Sequence, residues 1–337
     1  MTKARRGQFL LLAAAILFSL LVAEAFARTV ERVWGPERFF LLREKTYESF
    51  FYYYGGFSGE SKTVIDPLLG WRNAYPAWAD GIARTGWRTP EAIDEKREHI
   101  VLTGDSFVFG LGLRESQVMS SYLERELNNE VDVVNLGVRG LSLAQMALAV
   151  ARVAPSFRPR TIILAFIAAD LQRSCTDFGF NMSRPYFVLE NGVAQPAGIP
   201  VPSLQQKAAE HARPYRRLMD ALEVFVAKSR LICLAGQVFL QRQRDRCIGE
   251  LNPAILDYAL AHSPPAAKLI LVHLDGDLPP EFERRVRSMP NFVSIQSRVG
   301  RISREMGIPP TRQPDGHPGP ELSRIYARAL AEVLGRH

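Results

Sequence analysis

From residue 99 onward, short runs of Val, Ile and Leu recur between stretches of helical periodicity. This alternation constrains the fold more than any other feature of the chain. The runs are 99–104, "VDVVNLG" at 131–137, "TIILAFI" at 161–167 and "KLILVHL" at 268–274, with "NFVSIQS" at 291–297 as a weaker fifth. Each is short and mostly apolar, the pattern of a strand buried on both faces. Between them, Val118, Tyr122, Leu123 and Leu127 share one face of a helix over 116–129, and a second helix covers about 143–156. Strands alternating with helices predict an α/β domain, a three-layer, doubly wound parallel sheet. Such a sheet gathers its ligands beyond the carboxyl ends of its strands.

The residues that end these runs carry the chemistry. Asp105 and Ser106 follow the first run in "GDS", Gly137 closes the second in "NLGVRG", and Ala169 and Asp170 follow the third in "AFIAADL". Near the C-terminus, "QPDGHPGPELSRIYARALAEVL" places Asp315 and His317 just before a helix with an apolar stripe of Leu322, Ile325, Tyr326, Ala329, Leu330 and Val333. Parallel-sheet geometry brings all four loops to one edge. A serine hydroxyl is a weak nucleophile until a base takes its proton. His317 is a suitable base, and Asp315 is placed to orient its ring. The backbone amides of Ser106 and Gly137 would stabilise a developing oxyanion. Simpler readings stand beside these: Ser106 as a turn residue, His317 as a surface residue ahead of a helix. Asp105 is expected to fix the turn by local hydrogen bonds. Asp170 and Arg173 form either a structural ion pair or a substrate contact.

In these residues the chain resembles the SGNH/GDSL-type hydrolases, in particular their bacterial membrane-anchored branch. "GDSFVFGLGL" is similar to the first block, "VVNLGVRG" to the second and "DGHPGPELSRIYARAL" to the last, and the likeness runs over roughly 66–334. It implies a flavodoxin-like SGNH fold with Ser106 as nucleophile, His317 as base, Asp315 as its partner and Gly137 as an oxyanion donor. It further implies an acylated carbohydrate of the cell envelope as substrate, cleaved by an O-acyl (acetyl) esterase that needs no cofactor and no metal. Two positions depart from the pattern. Ala169 stands where the family places an oxyanion-hole Asn, and the acid lies two residues before the histidine instead of three. Two alternatives follow: an O-acyltransferase fed by a membrane partner, and a non-catalytic glycan-binding or scaffold protein on the same fold.

The N-terminus sets the expected location. Lys3, Arg5 and Arg6 precede an uncharged apolar run from Phe9 to Ala23, which reaches Ala27 if Glu24 lies near the membrane surface. The run fits an inner-membrane signal anchor better than a cleaved signal, although Ala25-Phe26-Ala27 resembles a cleavage site. The positive end stays in the cytoplasm, so the C-terminal domain is expected in the periplasm. The division is then an anchor at 1–27, a juxtamembrane and lead-in region at 28–98, and an α/β domain at 99–337. Aromatics over 37–59 either sit at the membrane interface or pack on the domain, and 66–88 reads as an ordered lead-in. Within the domain, about 171–250 breaks the rhythm as an insertion. Asn191-Gly192 marks a hairpin turn there, and a long helical segment follows from about 203 to 244. The net charge of +7 is a mild excess, and the cluster "QRQRDR" at 241–246 reads as a solvated helix face, not a nucleic-acid site. Of the three cysteines, Cys233 and Cys247 could pair if the domain lies outside the cytoplasm, which would leave Cys175 over.

Overall fold

The computed structural model describes residues 3–34, 63–74, 87–88, 96–179, 182–203 and 242–335, with isolated positions between 204 and 241. The chain divides into two compact units, Met1–Phe57 with Leu204–Gln243, and Ser58–Ser203 with Arg244–His337.

The first unit is built on one long helix, α1 (Lys3–Trp34). Within it, the 26 residues Arg5–Val30 are long and apolar enough to cross a membrane, as a signal sequence would also be. Phe9, Leu11 and Phe18 are exposed along it, so no apolar face is reserved for a protein core. Glu24 accepts hydrogen bonds from Ser229 Oγ at 2.8 Å and from the backbone N–H groups of Arg230 at 2.9 Å and Leu231 at 3.0 Å. A carboxylate satisfying the first amides of a helical turn is an ordinary capping arrangement. The aromatic segment 37–59 and most of the helical segment predicted over 203–244, Cys233 included, lie outside the described residues.

The second unit opens with a two-stranded ribbon, β1 (Thr63–Asp66) and β2 (Gly70–Asn73). The core follows as β3 (Glu98–Thr103), α2 (Ser106–Phe109), α3 (Met119–Glu126), β4 (Val131–Asn135), α4 (Leu143–Leu148), β5 (Thr161–Ile167) and α5 (Ala168–Arg173). A hairpin, β6 (Tyr186–Glu190) and β7 (Val193–Ala197), interrupts it. The core resumes with α6 (Asn252–His262), β8 (Lys268–Asp275), α7 (Pro280–Val286), β9 (Phe292–Ser294), α8 (Gln296–Met306) and α9 (Pro320–Val333). The expected strands are thus present, and all neighbours in the main sheet are parallel. Their order is β9-β8-β5-β3-β4. Counted along the chain this is 2-1-3-4-5, the doubly wound flavodoxin-like order.

Alternate residues of each strand feed two cores, which is why the runs read as continuously apolar. Val101, Val134, Ile162, Leu164 and Leu271 face one layer with Met146 of α4, Leu256 of α6 and Phe282 of α7. Leu102, Val133, Ile163, Ala165 and Val272 face the other with Leu123 of α3, Ile302 of α8 and Ile325 and Tyr326 of α9. The strand order reverses between β3 and β5. Ligands of such sheets bind in the crevice at that point, beyond the carboxyl ends of the strands.

The insertion keeps part of its expected form. Asn191 and Gly192 turn the β6–β7 hairpin with φ of 53° and 80°, the pair of positive angles that a two-residue turn of this kind requires. The Cys233–Cys247 pairing that the sequence allowed is corrected. Cys175 and Cys247 form the disulfide, with Cα atoms 5.8 Å apart. Folding brings the two ends of the insertion together, and the bond joins them.

Candidate active site

Ser106 owes its position to a tight strand-to-helix turn. At Gly104 the backbone passes so close to its neighbours that a Cβ would lie 2.3 Å from Val108 Cγ2 and 2.6 Å from Ala165 O, so only glycine fits. Asp105 then caps α2, its Oδ1 accepting from the Phe107 N–H at 2.9 Å. This is the turn-fixing role expected of it. Ser106 is the first residue of the helix, where a backbone N–H has no intrahelical partner. The other end of α2 is held by Arg88, a fully buried arginine that the sequence did not single out. Its guanidinium donates to the carbonyls of Phe109 (2.9 Å), Gly110 (3.0 Å) and Leu113 (2.7 Å) and pairs with Glu115 at 2.8 Å.

His317 comes from the loop between α8 and α9. The loop folds on itself: the Gly316 N–H donates to Gln313 O at 2.9 Å, and the Gln313 N–H to His317 O at 2.8 Å. Gln313 also reaches across, its Nε2 donating to Leu111 O at 2.7 Å and to Pro318 O at 2.9 Å. It thereby fastens the histidine loop to the segment leaving α2. The result is that His317 Nε2 stands 3.0 Å from Ser106 Oγ, across 211 positions of sequence. Asp315 Oδ1 accepts the His317 backbone N–H at 3.1 Å, and its Oδ2 lies 3.0 Å from Nδ1, an ion contact not yet aligned as a hydrogen bond. That backbone N–H, together with the adjacent imidazole, holds the Asp315 carboxyl below the usual carboxylate range. Phe107 packs beside the imidazole with ring centroids 5.8 Å apart. Ser106, His317 and Asp315 are therefore together, in the order that base catalysis requires.

The oxyanion side departs from expectation. The Gly137 N–H is already bonded to Asn135 Oδ1 at 2.8 Å, so it is not available to an oxyanion. The reason is packing: a Cβ at Gly137 would lie 2.4 Å from Phe109 N, and Asn135 itself donates to Val108 O at 2.8 Å and to Ser120 Oγ at 3.1 Å. Gly137 and Asn135 tie β4 to α2. Among the described residues, the next glycine in the loop, Gly140, has no acceptor for its N–H. Its loop adjoins the elbow, since the Val138 N–H donates to Gly104 O at 3.2 Å.

Ala169 is exposed in the first turn of α5 and offers only a methyl group. Asp170 and Arg173 make the ion pair that was one of their two expected roles, but they do not make it alone. The Arg173 Nη1 bonds Asp170 Oδ1, lies 3.0 Å from Asp105 Oδ2 and reaches Leu141 O at 3.4 Å. Asp170 is fully buried and also accepts the Ile167 N–H at 2.9 Å. Burial, and then the charge of Asp105, push its carboxyl well above the ordinary range. Among the described residues, no three His, Cys, Asp or Glu side chains gather as metal ligands.

No family model and no curated protein matches the chain. It is similar to several solved structures. TesA is 15% identical, with a TM-score of 0.36 over 70% of this chain and 98% of that one. A catalytic mutant of Axe2, an acetylxylan esterase from Geobacillus stearothermophilus, is 13% identical with a TM-score of 0.37, over 71% of this chain and 95% of its own. A lipase/acylhydrolase from Enterococcus faecalis is 14% identical with a TM-score of 0.35, over 70% and 94%. Similarity at this level says nothing of this chain's chemistry, and the fold stands on the sheet itself.

Proposed function

We propose that the chain is an SGNH-type serine hydrolase that cleaves O-acyl esters through an acyl-enzyme. The observation that carries this reading is the 3.0 Å contact between Ser106 Oγ and His317 Nε2 at the crevice where the strand order reverses. With its proton on Nδ1 toward Asp315, the imidazole accepts the Ser106 hydroxyl hydrogen. The oxygen attacks the ester carbonyl, His317 returns the proton to the departing alkoxide, and water then releases the acyl group by the same route. Asp315 orients the ring and stabilises the imidazolium. The first amide of α2, at Ser106, and the unengaged amide of Gly140 are the candidate oxyanion donors.

The proposed substrate is an acetylated carbohydrate of the cell envelope. The proposed location is the inner membrane, with α1 as a single-pass anchor, Lys3, Arg5 and Arg6 in the cytoplasm, and the catalytic unit in the periplasm. The Cys175–Cys247 disulfide supports an oxidising compartment. A second reading, a glycan-binding module without turnover, is favoured by Ala169, which leaves one oxyanion donor missing.

The test is labelling with a fluorophosphonate alongside hydrolysis of a small acetyl ester. The wild-type protein should take the label and turn over the ester, Ser106→Ala should do neither, and His317→Ala should lose nearly all of both. Combining the two substitutions should add little, because such residues act as a unit. A wild-type protein that takes no label but holds an acetylated glycan would establish the binding module instead.

A further inference from the structure

The hydroxyl of Ser106 has two acceptors within reach. His317 Nε2 is at 3.0 Å, and Asp105 Oδ2 is at 3.4 Å on the adjacent residue. Only the first is productive. A hydroxyl donated to a carboxylate turns its hydrogen away from the base, and the nearby negative charge opposes the alkoxide that must form. Asp105 cannot be dispensed with, since its other oxygen caps α2. What separates the two acceptors is Arg173. Its Nη1 lies 3.0 Å from Asp105 Oδ2, the same oxygen that competes for the hydroxyl.

The guanidinium is well held for this. Its side chain is 22% exposed, and Asp105 and Asp170 are both fully buried against it. The same nitrogen reaches Leu141 O, on the loop that carries Gly140. One group thus joins the turn after β3, the loop after β4 and the helix after β5, the strand ends that meet at the crevice. A buried carboxylate without a partner is costly and would take the nearest donor, which here is the nucleophile.

We propose that Arg173 is a positioning residue that occupies Asp105 Oδ2 and thereby directs the Ser106 hydroxyl to His317. This rests on Ser106 being the nucleophile, and it extends that reading by making Asp105 and Arg173 one device.

The experiment measures the rate of fluorophosphonate labelling, with kcat and KM for a small acetyl ester, in the full-length protein. Arg173→Met should slow labelling and lower kcat by about ten- to a hundredfold, the range of one charge-assisted hydrogen bond, with KM little changed. Arg173→Lys keeps the charge and should fall between the two. The decisive variant is Asp105→Asn combined with Arg173→Met. Asn caps a helix about as well as Asp, so α2 survives, but the competing carboxylate is gone. The pair should label at least several-fold faster than Arg173→Met alone, an outcome that a merely structural role for Arg173 does not produce. The proposal is overturned if Arg173→Met labels like wild type. It is equally overturned if the double variant, folded by its thermal melt, is no faster than Arg173→Met. Should Arg173→Met not fold, the same two comparisons are made with Arg173→Lys. A wild-type protein that takes no label overturns the nucleophile reading itself, and this inference with it.

Discussion

The three side chains proposed to act together, Ser106, His317 and Asp315, come from two distant loops, and each stands out in the sequence. Ser106 sits between an acid and a short helix, and His317 and Asp315 share one loop; their chemistry made them candidates, and the resemblance to the SGNH/GDSL-type blocks implied their roles. Gly137 misled because its use depends on Asn135, whose side chain takes the amide for packing. Arg88 and Gln313 were missed for the same reason: each acts on carbonyls that only the fold brings near. Ala169 gives a prediction at this scale. Ala169→Asn should raise kcat on an activated ester with little change in KM, since an interaction made only in the transition state acts on kcat. One such donor is worth up to about 10²–10³-fold, and a grafted amide without supporting contacts should deliver less. Steady-state kinetics on the purified variant decide it; an unchanged kcat would mean that the hole is already complete. Gly104→Ala should be costly for a different reason. Its Cβ would meet the Ala165 carbonyl, a backbone atom with little room to yield, so a loss of about 1–3 kcal/mol in chemical denaturation is expected.

The elements were more legible than the site, because a parallel strand announces itself by burial on both faces. The weak fifth run became the three-residue edge strand β9, and its brevity follows from having a neighbour on one side only. The cysteine pairing was not legible, since 72 positions separate Cys175 from Cys247 and contact across that distance is a tertiary fact. Closing a loop of that size removes enough unfolded-state freedom to be worth about 4 kcal/mol in the chain-entropy model. Cys175→Ala should lower the denaturation free energy by up to that amount, and reductant should then have no further effect on the melt. A second element-scale prediction concerns β8 and β9. His273 on β8 contacts Ser294 Oγ on β9 at 3.0 Å and Asp275 O at 2.9 Å, and burial holds its pKa below 6.5. The unfolded chain therefore binds this proton more readily. Stability from a neutral His273 is present above about pH 6.5 and declines as pH falls below it, levelling once the folded state also protonates. Thermal melts of wild type should show that slope between the two pKa values, and His273→Gln should flatten it.

At the scale of the whole molecule the question is whether α1 stays. The sequence favours an anchor without deciding the matter, because an apolar run with a basic start serves cleaved signals too. Within the first unit, the structure bears on the choice. The Ala25-Phe26-Ala27 site lies in the interior of an unbroken helix that continues to Trp34, and Ala27 is fully buried. Proteolytic nicking favours poorly ordered backbone, and the interior of a continuous helix does not present it. Glu24, three residues before the expected cut, accepts from Ser229, Arg230 and Leu231 and pairs with Arg28 at 3.0 Å. Removing residues 1–27 would take away the Glu24 carboxylate that these groups bond. The mature protein should therefore retain α1. Mass measurement of protein extracted from membranes with detergent should find the intact N-terminus, and a reporter fused after His337 should be active only outside the cytoplasm. A mature chain beginning at Arg28, soluble without detergent, would show that α1 serves export alone and that the segment after Ser229 finds another cap.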